Sequence, residues 1–164
     1  MKKVLYPGSF DPITYGHMNI VEQALNIYDV VVIAILVNSN KKTGWFTLTE
    51  REEIIRQIYK DNPRVEVISA NGGVAAVDIA LDNGCNTMVT GLRDITDYSY
   101  EKHKAEVNFL ISEEKVSTIA LFANPKNTTI SSSLVKELVN IGKSVDSFVH
   151  PIVQEAIAKK FKEE

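Results

Sequence analysis

Short unbroken apolar runs, rich in β-branched residues, recur along this chain at Lys3–Tyr6, Val30–Val37, Val65–Ile68, Thr87–Thr90 and Val116–Phe122. The second, "VVVIAILV", has no polar position, the pattern of a strand buried on both faces of a parallel sheet. Between the runs, apolar residues return at helical spacing. Val21, Ala24, Leu25 and Tyr28 mark a helix over Gly16–Tyr28. Ile54, Ile55 and Ile58 mark another in "TLTEREEIIRQIY", where Thr49 and Glu52 read as a capping box. "VAAVDIALDNG" follows the Gly72-Gly73 turn, and its Gly84 suits a left-handed C-terminal cap. Further helices are predicted over Asp97–Glu113, over Ser131–Ile141 with Gly142 as the stop, and from Pro151 to Phe161.

Strands alternating with helices predict an α/β fold, a single doubly wound five-stranded parallel sheet in one domain spanning 1–164. Ligands of such sheets sit outside the carboxyl ends of the strands. Composition adds mainly exclusions. With 164 residues and 45% hydrophobic content the chain can bury a core. A net charge of -3 gives no general attraction to nucleic acid or anionic membrane, so a polyanion site has to be local. The lone Cys85 rules out a disulfide framework and reads as a small core residue rather than a catalytic thiol. "MKKVLYPGSF" is broken too early by Pro and Gly for a signal peptide, and no apolar run approaches membrane-spanning length. The expectation is a cytoplasmic protein with no nucleic-acid or membrane partner.

The residues that follow each strand form a consistent set. Gly8, Ser9, Asp11 and His17 follow the first, Lys41 and Lys42 the second, Gly91 and Arg93 the fourth. After the fifth come Lys126, Asn127, Thr128 and Thr129, then Ser131, Ser132 and Ser133 at a helix start. All fall on one rim, which thereby gathers cations, hydroxyls, glycines and helix N-termini, the equipment for a polyphosphate. Each piece has a plainer reading. Gly8 suits any tight turn, His17 a satisfied helix start, Ser131–Ser133 an N-cap, Lys41-Lys42 a solvated loop, and Arg93 an ion pair with Asp94 or Asp97. Neither a Walker lysine loop nor G-x-G-x-x-G is present. It is the joint occurrence at successive strand ends that points to phosphate chemistry.

"GSFDPITYGH" at 8–17 resembles the G-[ST]-F-D-P-x-x-x-G-H signature of the nucleotidylyltransferase superfamily. "ISSSLVKEL" at 130–138 is similar to its second signature, and "GLRDITDYSYE" at 91–101 to a third block. With "VVVIAILVNSNKK" between them, the chain resembles the bacterial pantetheine-phosphate adenylyltransferases over nearly its whole length. The resemblance implies a Rossmann-like fold and adenylyl transfer from ATP to 4'-phosphopantetheine, giving dephospho-coenzyme A and pyrophosphate, with Mg2+ and a hexameric assembly. It further implies that Ser9 and Phe10 contact ATP, with Ser9 also near the acceptor phosphate. By the same resemblance His17 stabilises the transition state and Lys41 binds the acceptor phosphate. Gly91, Leu92, Arg93 and Glu101 would bind ATP, and Asn127, Thr128, Thr129, Ile130, Ser131, Ser132 and Ser133 would form the adenine loop and the β,γ-phosphate cradle. Ala76 falls where the family contacts the pantetheine arm.

A phosphate monoester is mostly dianionic near neutral pH, its second pKa being about 6, so it needs no general base to attack phosphorus. Direct attack without a covalent intermediate is expected, with catalysis by positioning and charge stabilisation. The chain departs from the family at Thr90, where Arg is usual and helps hold the acceptor phosphate. "NPKNTTISSS" lacks the aromatic common in the adenine loop, and "KKTGWFT" carries a one-residue insertion whose Trp45 reads as packing or as a lid. Asp11 either orients its loop or touches Mg2+ through water. The alternatives are a sibling cytidylyl- or adenylyltransferase with another phosphorylated acceptor, and a catalytically weak nucleotide-binding module. The cytidylyl pattern R-T-x-G-I-S-T-T is not matched by "KNTTISSS".

Overall fold

The structure, a computed structural model, describes residues 1–37 and 44–161. Five strands, β1 (Lys3–Gly8), β2 (Val30–Leu36), β3 (Val65–Ala70), β4 (Thr87–Leu92) and β5 (Ser117–Phe122), form one sheet. Their order is β3-β2-β1-β4-β5 and every pairing is parallel. Six helices alternate with and follow the strands: α1 (Tyr15–Leu25), α2 (Leu48–Ile58), α3 (Ala76–Asp82), α4 (Ile95–Ile111), α5 (Ser132–Asn140) and α6 (Pro151–Phe161). The expected α/β sheet is thus found. Among the described residues no helix is long and apolar enough to cross a membrane.

The unbroken apolar run at β2 has its explanation in two core layers. Val31, Ile33 and Ile35 pack with α1, α2, α5 and α6 residues on one face, while Val30, Val32 and Ala34 meet Val77, Ala80, Cys85 and Met88 on the other. Cys85 is buried in that second layer, as a small core residue. The sheet changes winding direction between β1 and β4, which lie side by side although the chain leaves β1 towards β2. A crevice must open there, because the connections from β1 and β4 depart to opposite sides.

Several boundaries differ from the sequence expectations. The α2 capping box is Thr47 with Glu50: Thr47 Oγ1 accepts from the Glu50 N–H at 3.2 Å and Glu50 Oε2 from the Thr47 N–H at 2.6 Å. Thr49 already lies inside the helix, where its backbone is helical and cannot take the extended conformation of an N-cap. Helix α4 begins before Asp97 because Asp94 caps it, accepting from the Thr96 and Asp97 N–H groups. Strands β1 and β4 run two residues past their apolar cores, so Gly8, Gly91 and Leu92 are strand residues. At Gly91 a side chain would place Cβ 3.0 Å from Ile20 Cγ1, so its absence lets α1 close onto β4.

Helix α4 departs most from a covering helix. None of its 17 residues is buried, and Tyr100, Leu110 and Ile111 are exposed. On the adjoining edge strand β5, Phe122 is 79% exposed. Among the described residues nothing covers this apolar surface.

Candidate active site

A cavity of about 350 Å3 opens at the carboxyl ends of β1 and β4, where the winding reverses. The lining brings together Ser9, Phe10, His17, Thr90, Gly91, Arg93, Glu101, Asn127, Ile130, Ser131, Ser132 and Ser133. Leu92, Thr128 and Thr129 adjoin it without lining it, and Ala76 packs at the start of α3 against the second core layer. Lys41 and Lys42 lie outside the described residues. A larger hollow of about 530 Å3 at the opposite rim is lined by Met1, Lys2, Lys3, Tyr28 and Cys85 among others, and carries none of this chemistry.

His17 is the third residue of α1 and completes its start. Thr14 Oγ1 accepts from the His17 N–H, and His17 Nδ1 accepts the Thr14 N–H at 3.0 Å. An amide N–H can only donate, so Nδ1 is the acceptor and the neutral ring carries its proton on Nε2. Burial, with the Arg93 charge adding to it, pushes the imidazole down to about 4. The ring is therefore a neutral donor at the cavity wall throughout the physiological range. The plain reading of His17 as a satisfied helix-start residue holds for Nδ1, while Nε2 carries the proton at the cavity wall.

Beneath His17 lies Phe10, which is only 2% exposed, with ring centroids 5.1 Å apart and the rings edge to face. Tyr6 meets the other side of Phe10 at 5.2 Å. Phe10 sits at φ 46, a left-handed conformation costly for a residue with Cβ, and its buried ring holds it there. Gly8 makes room for that ring: a Cβ would stand 2.8 Å from Phe10 Cζ. Gly8→Ala is expected to cost about 1–3 kcal/mol through overpacking, and to tilt the ring that supports His17. Chemical denaturation together with turnover measures both effects.

Asp11 is buried and fastens three segments. Its carboxylate accepts the Trp45 N–H at 2.9 Å, the Phe46 N–H at 2.8 Å and Lys136 Nζ of α5 at 2.8 Å. Arg51 Nε lies 3.4 Å away, and its guanidinium donates to the Phe46 and Ser9 carbonyls. Burial works against ionisation, but the hydrogen bonds from Lys136, Phe46 and Trp45 and the Arg51 charge outweigh it and hold the carboxyl below its ordinary range. Among the described partners Asp11 thus orients its loop. Trp45 packs against Phe161 of α6 at 4.7 Å, and Lys160 of α6 bonds Glu50 at 2.8 Å.

The far wall is the start of α5. Ser131 caps it by accepting from the Leu134 N–H, and Ser132 Oγ donates to the Pro12 carbonyl, tying helix to first loop. Gly16 permits the approach, since a Cβ there would lie 3.3 Å from the Ile130 carbonyl oxygen. Open N–H groups and the positive end of α5 therefore face the cavity near Ser133. Arg93 forms the anticipated ion pair, with Asp97 rather than Asp94: Nε and Nη2 reach the two carboxylate oxygens at 2.8 and 3.0 Å. This pairing holds the Asp97 carboxyl below its ordinary range. Thr90 Oγ1 donates to Glu101 Oε2 at 2.8 Å, and Lys104 Nζ contacts Glu101 Oε1 at 3.2 Å.

Lining residues that sequence reasoning passed over are Tyr6, Ile20, Asp97, Lys104 and Ala123. A signal existed for three of them. Asp97, Glu101 and Lys104 fall at helical spacing on one face of α4, and Ile20 falls one turn from His17 on α1.

Residues 5–138 match the Cytidylyltransferase-like family model. A Bacteroides thetaiotaomicron protein named phosphopantetheine adenylyltransferase is 39% identical over 149 residues, 91% of this chain and 95% of its own. A protein of the same name from Caldanaerobacter subterraneus is 39% identical over 99% of both chains. A solved structure from Vibrio parahaemolyticus, described as a nicotinate-nucleotide adenylyltransferase, superposes with a TM-score of 0.68 over 97% of this chain and 93% of its own. At 19% identity that likeness concerns the fold alone. With a family model spanning most of its length and such relatives spanning nearly all of it, the chain belongs to the phosphopantetheine adenylyltransferase family of cytidylyltransferase-like proteins.

Proposed function

We propose that this cavity transfers the adenylyl group of ATP to the phosphate of 4'-phosphopantetheine, releasing pyrophosphate and forming dephospho-coenzyme A. The observation that carries the reading is the fixed tautomer of His17, which presents an Nε2 proton where no general base is needed. The acceptor phosphate attacks the α-phosphorus while His17 Nε2–H donates to a non-bridging oxygen. The start of α5, with Ser133 and Asn127, receives the β,γ-phosphates and stabilises the pyrophosphate as it departs. Lys41 neutralises the approaching acceptor. Ser9 and Arg93 position the nucleotide, Gly91 and Ile130 flank it, and Phe10 supports the site from below.

Among the described residues no cluster of three His, Cys, Asp or Glu side chains gathers to hold a metal. Mg2+ would come with ATP and supply charge neutralisation on its phosphates.

The exposed apolar face of α4 and β5 is covered in this reading by further copies of the chain, as a homo-oligomer. Pyrophosphate release measured with ATP or CTP, with and without 4'-phosphopantetheine, tests the function. Release is expected only with ATP and that acceptor together. Release with neither nucleotide would overturn the reading, and release with CTP would move the chain to a sibling activity.

A further inference from the structure

Two anions must meet in this cavity, and its described lining holds two cations, Arg93 and Lys104. Arg93 is largely committed: its backbone N–H, Nε and Nη2 all bond Asp97, which leaves Nη1 for the nucleotide. Lys104 has one polar contact among the described residues, the 3.2 Å approach to Glu101, and its side chain is 46% exposed. Two of its three ammonium protons are therefore available to a ligand. The Tyr100 ring, 5.4 Å from Nζ, limits where the amine can go. Glu101 is itself held by Thr90 at the end of β4. Thr90, Glu101 and Lys104 thus form a chain of contacts at the β4 side of the cavity, and together they also line a small recess beside it. The α5 start, which already supplies dipole and hydroxyls for one polyanion, belongs to the other side.

We propose that Lys104 binds the phosphate of the acceptor, supplying from α4 the positive charge that Thr90 at the end of β4 does not carry. The Glu101 pair keeps the amine near the cavity when no ligand is bound. A pair at 3.2 Å whose lysine is nearly half exposed is weak, so a dianionic phosphate displaces it at little cost. The inference rests on the adenylyl-transfer reading for the identity of the acceptor.

The test compares the wild-type protein with Lys104→Met and Lys104→Arg. Equilibrium binding is measured with 4'-phosphopantetheine and with pantetheine, which lacks the phosphate, and turnover by varying acceptor and MgATP separately. Wild type is expected to prefer the phosphorylated ligand. Lys104→Met should lower that preference and raise the acceptor KM by about 10- to 100-fold, with the ATP KM within about twofold. Lys104→Arg should keep the preference, and melting temperatures should agree. Retained preference in Lys104→Met, or a rise confined to the ATP KM, overturns the proposal, as does a wild type that binds both ligands equally. If wild type shows a Lys104-dependent preference but releases no pyrophosphate, the transfer reading fails and the phosphate site stands.

Discussion

Replacing His17 by alanine is expected to lower kcat by about 10²–10³ while leaving both KM values within a few-fold, because the donor acts on charge that develops in transit. The same substitution removes half of the α1 capping box and should cost about 1 kcal/mol of stability, too little to explain the kinetic loss. The ionisation of the ring gives a second readout. Its folded pKa of about 4 lies below the ordinary value of about 6.5. As pH falls from about 6.5 towards 4, the unfolded chain takes up the proton and the native ring does not, so this group withdraws stability on acidification and restores it as pH rises. In an NMR titration the His17 ring should stay neutral to below pH 5. An inflection of kcat near pH 6.5 that follows this resonance would contradict the neutral-donor role. An inflection near pH 6 tied to acceptor ionisation would not, since the phosphate itself titrates there.

Asp11→Ala is expected to be the most destabilising single change in the first loop, by about 3–5 kcal/mol. It leaves Arg51 and Lys136 without their carboxylate and the Trp45 and Phe46 N–H groups without an acceptor. Asp11→Asn retains the shape, but turns at least one N–H towards donors, and should recover only part of the loss. The folded pKa of Asp11 lies below its ordinary value, so its stabilisation is fully present above about pH 4 and is lost as pH falls through the lower folded value. Denaturant unfolding at pH 7 and pH 3 should therefore show wild type and Asp11→Asn converging in acid. A constant difference between them across that range would place the role of Asp11 elsewhere.

The sheet was legible because its strands announce themselves: "VVVIAILV" is short, β-branched and without a polar position, and its strand is buried on both faces. The site was legible as a set of loop chemistries at successive strand ends, since topology puts those ends together whatever the side chains do. What stayed hidden depends on pairing across long sequence distance. Asp11 meets Trp45, Phe46, Arg51 and Lys136, and no local spacing marks such a meeting. The exposure of α4 was equally hidden, because its apolar residues look the same in sequence whether they meet their own sheet or another surface. The capping box of α2 was misplaced for a smaller reason. Thr47-x-x-Glu50 and Thr49-x-x-Glu52 carry the same signature two residues apart, and only backbone angles choose between them.

The fastening of Trp45 and Glu50 to α6 sets an order of assembly on the ribosome. All five strands and His17 precede residue 123, so the sheet can pair while α6 is still being made. The contacts of Trp45 with Phe161 and of Glu50 with Lys160 form only once α6 has been made. A nascent chain can thus pair its sheet before this segment gains its contacts with α6. A polypeptide clipped before Lys160 would then keep its sheet but lose both of these contacts, and any tag fused directly after residue 161 adjoins them.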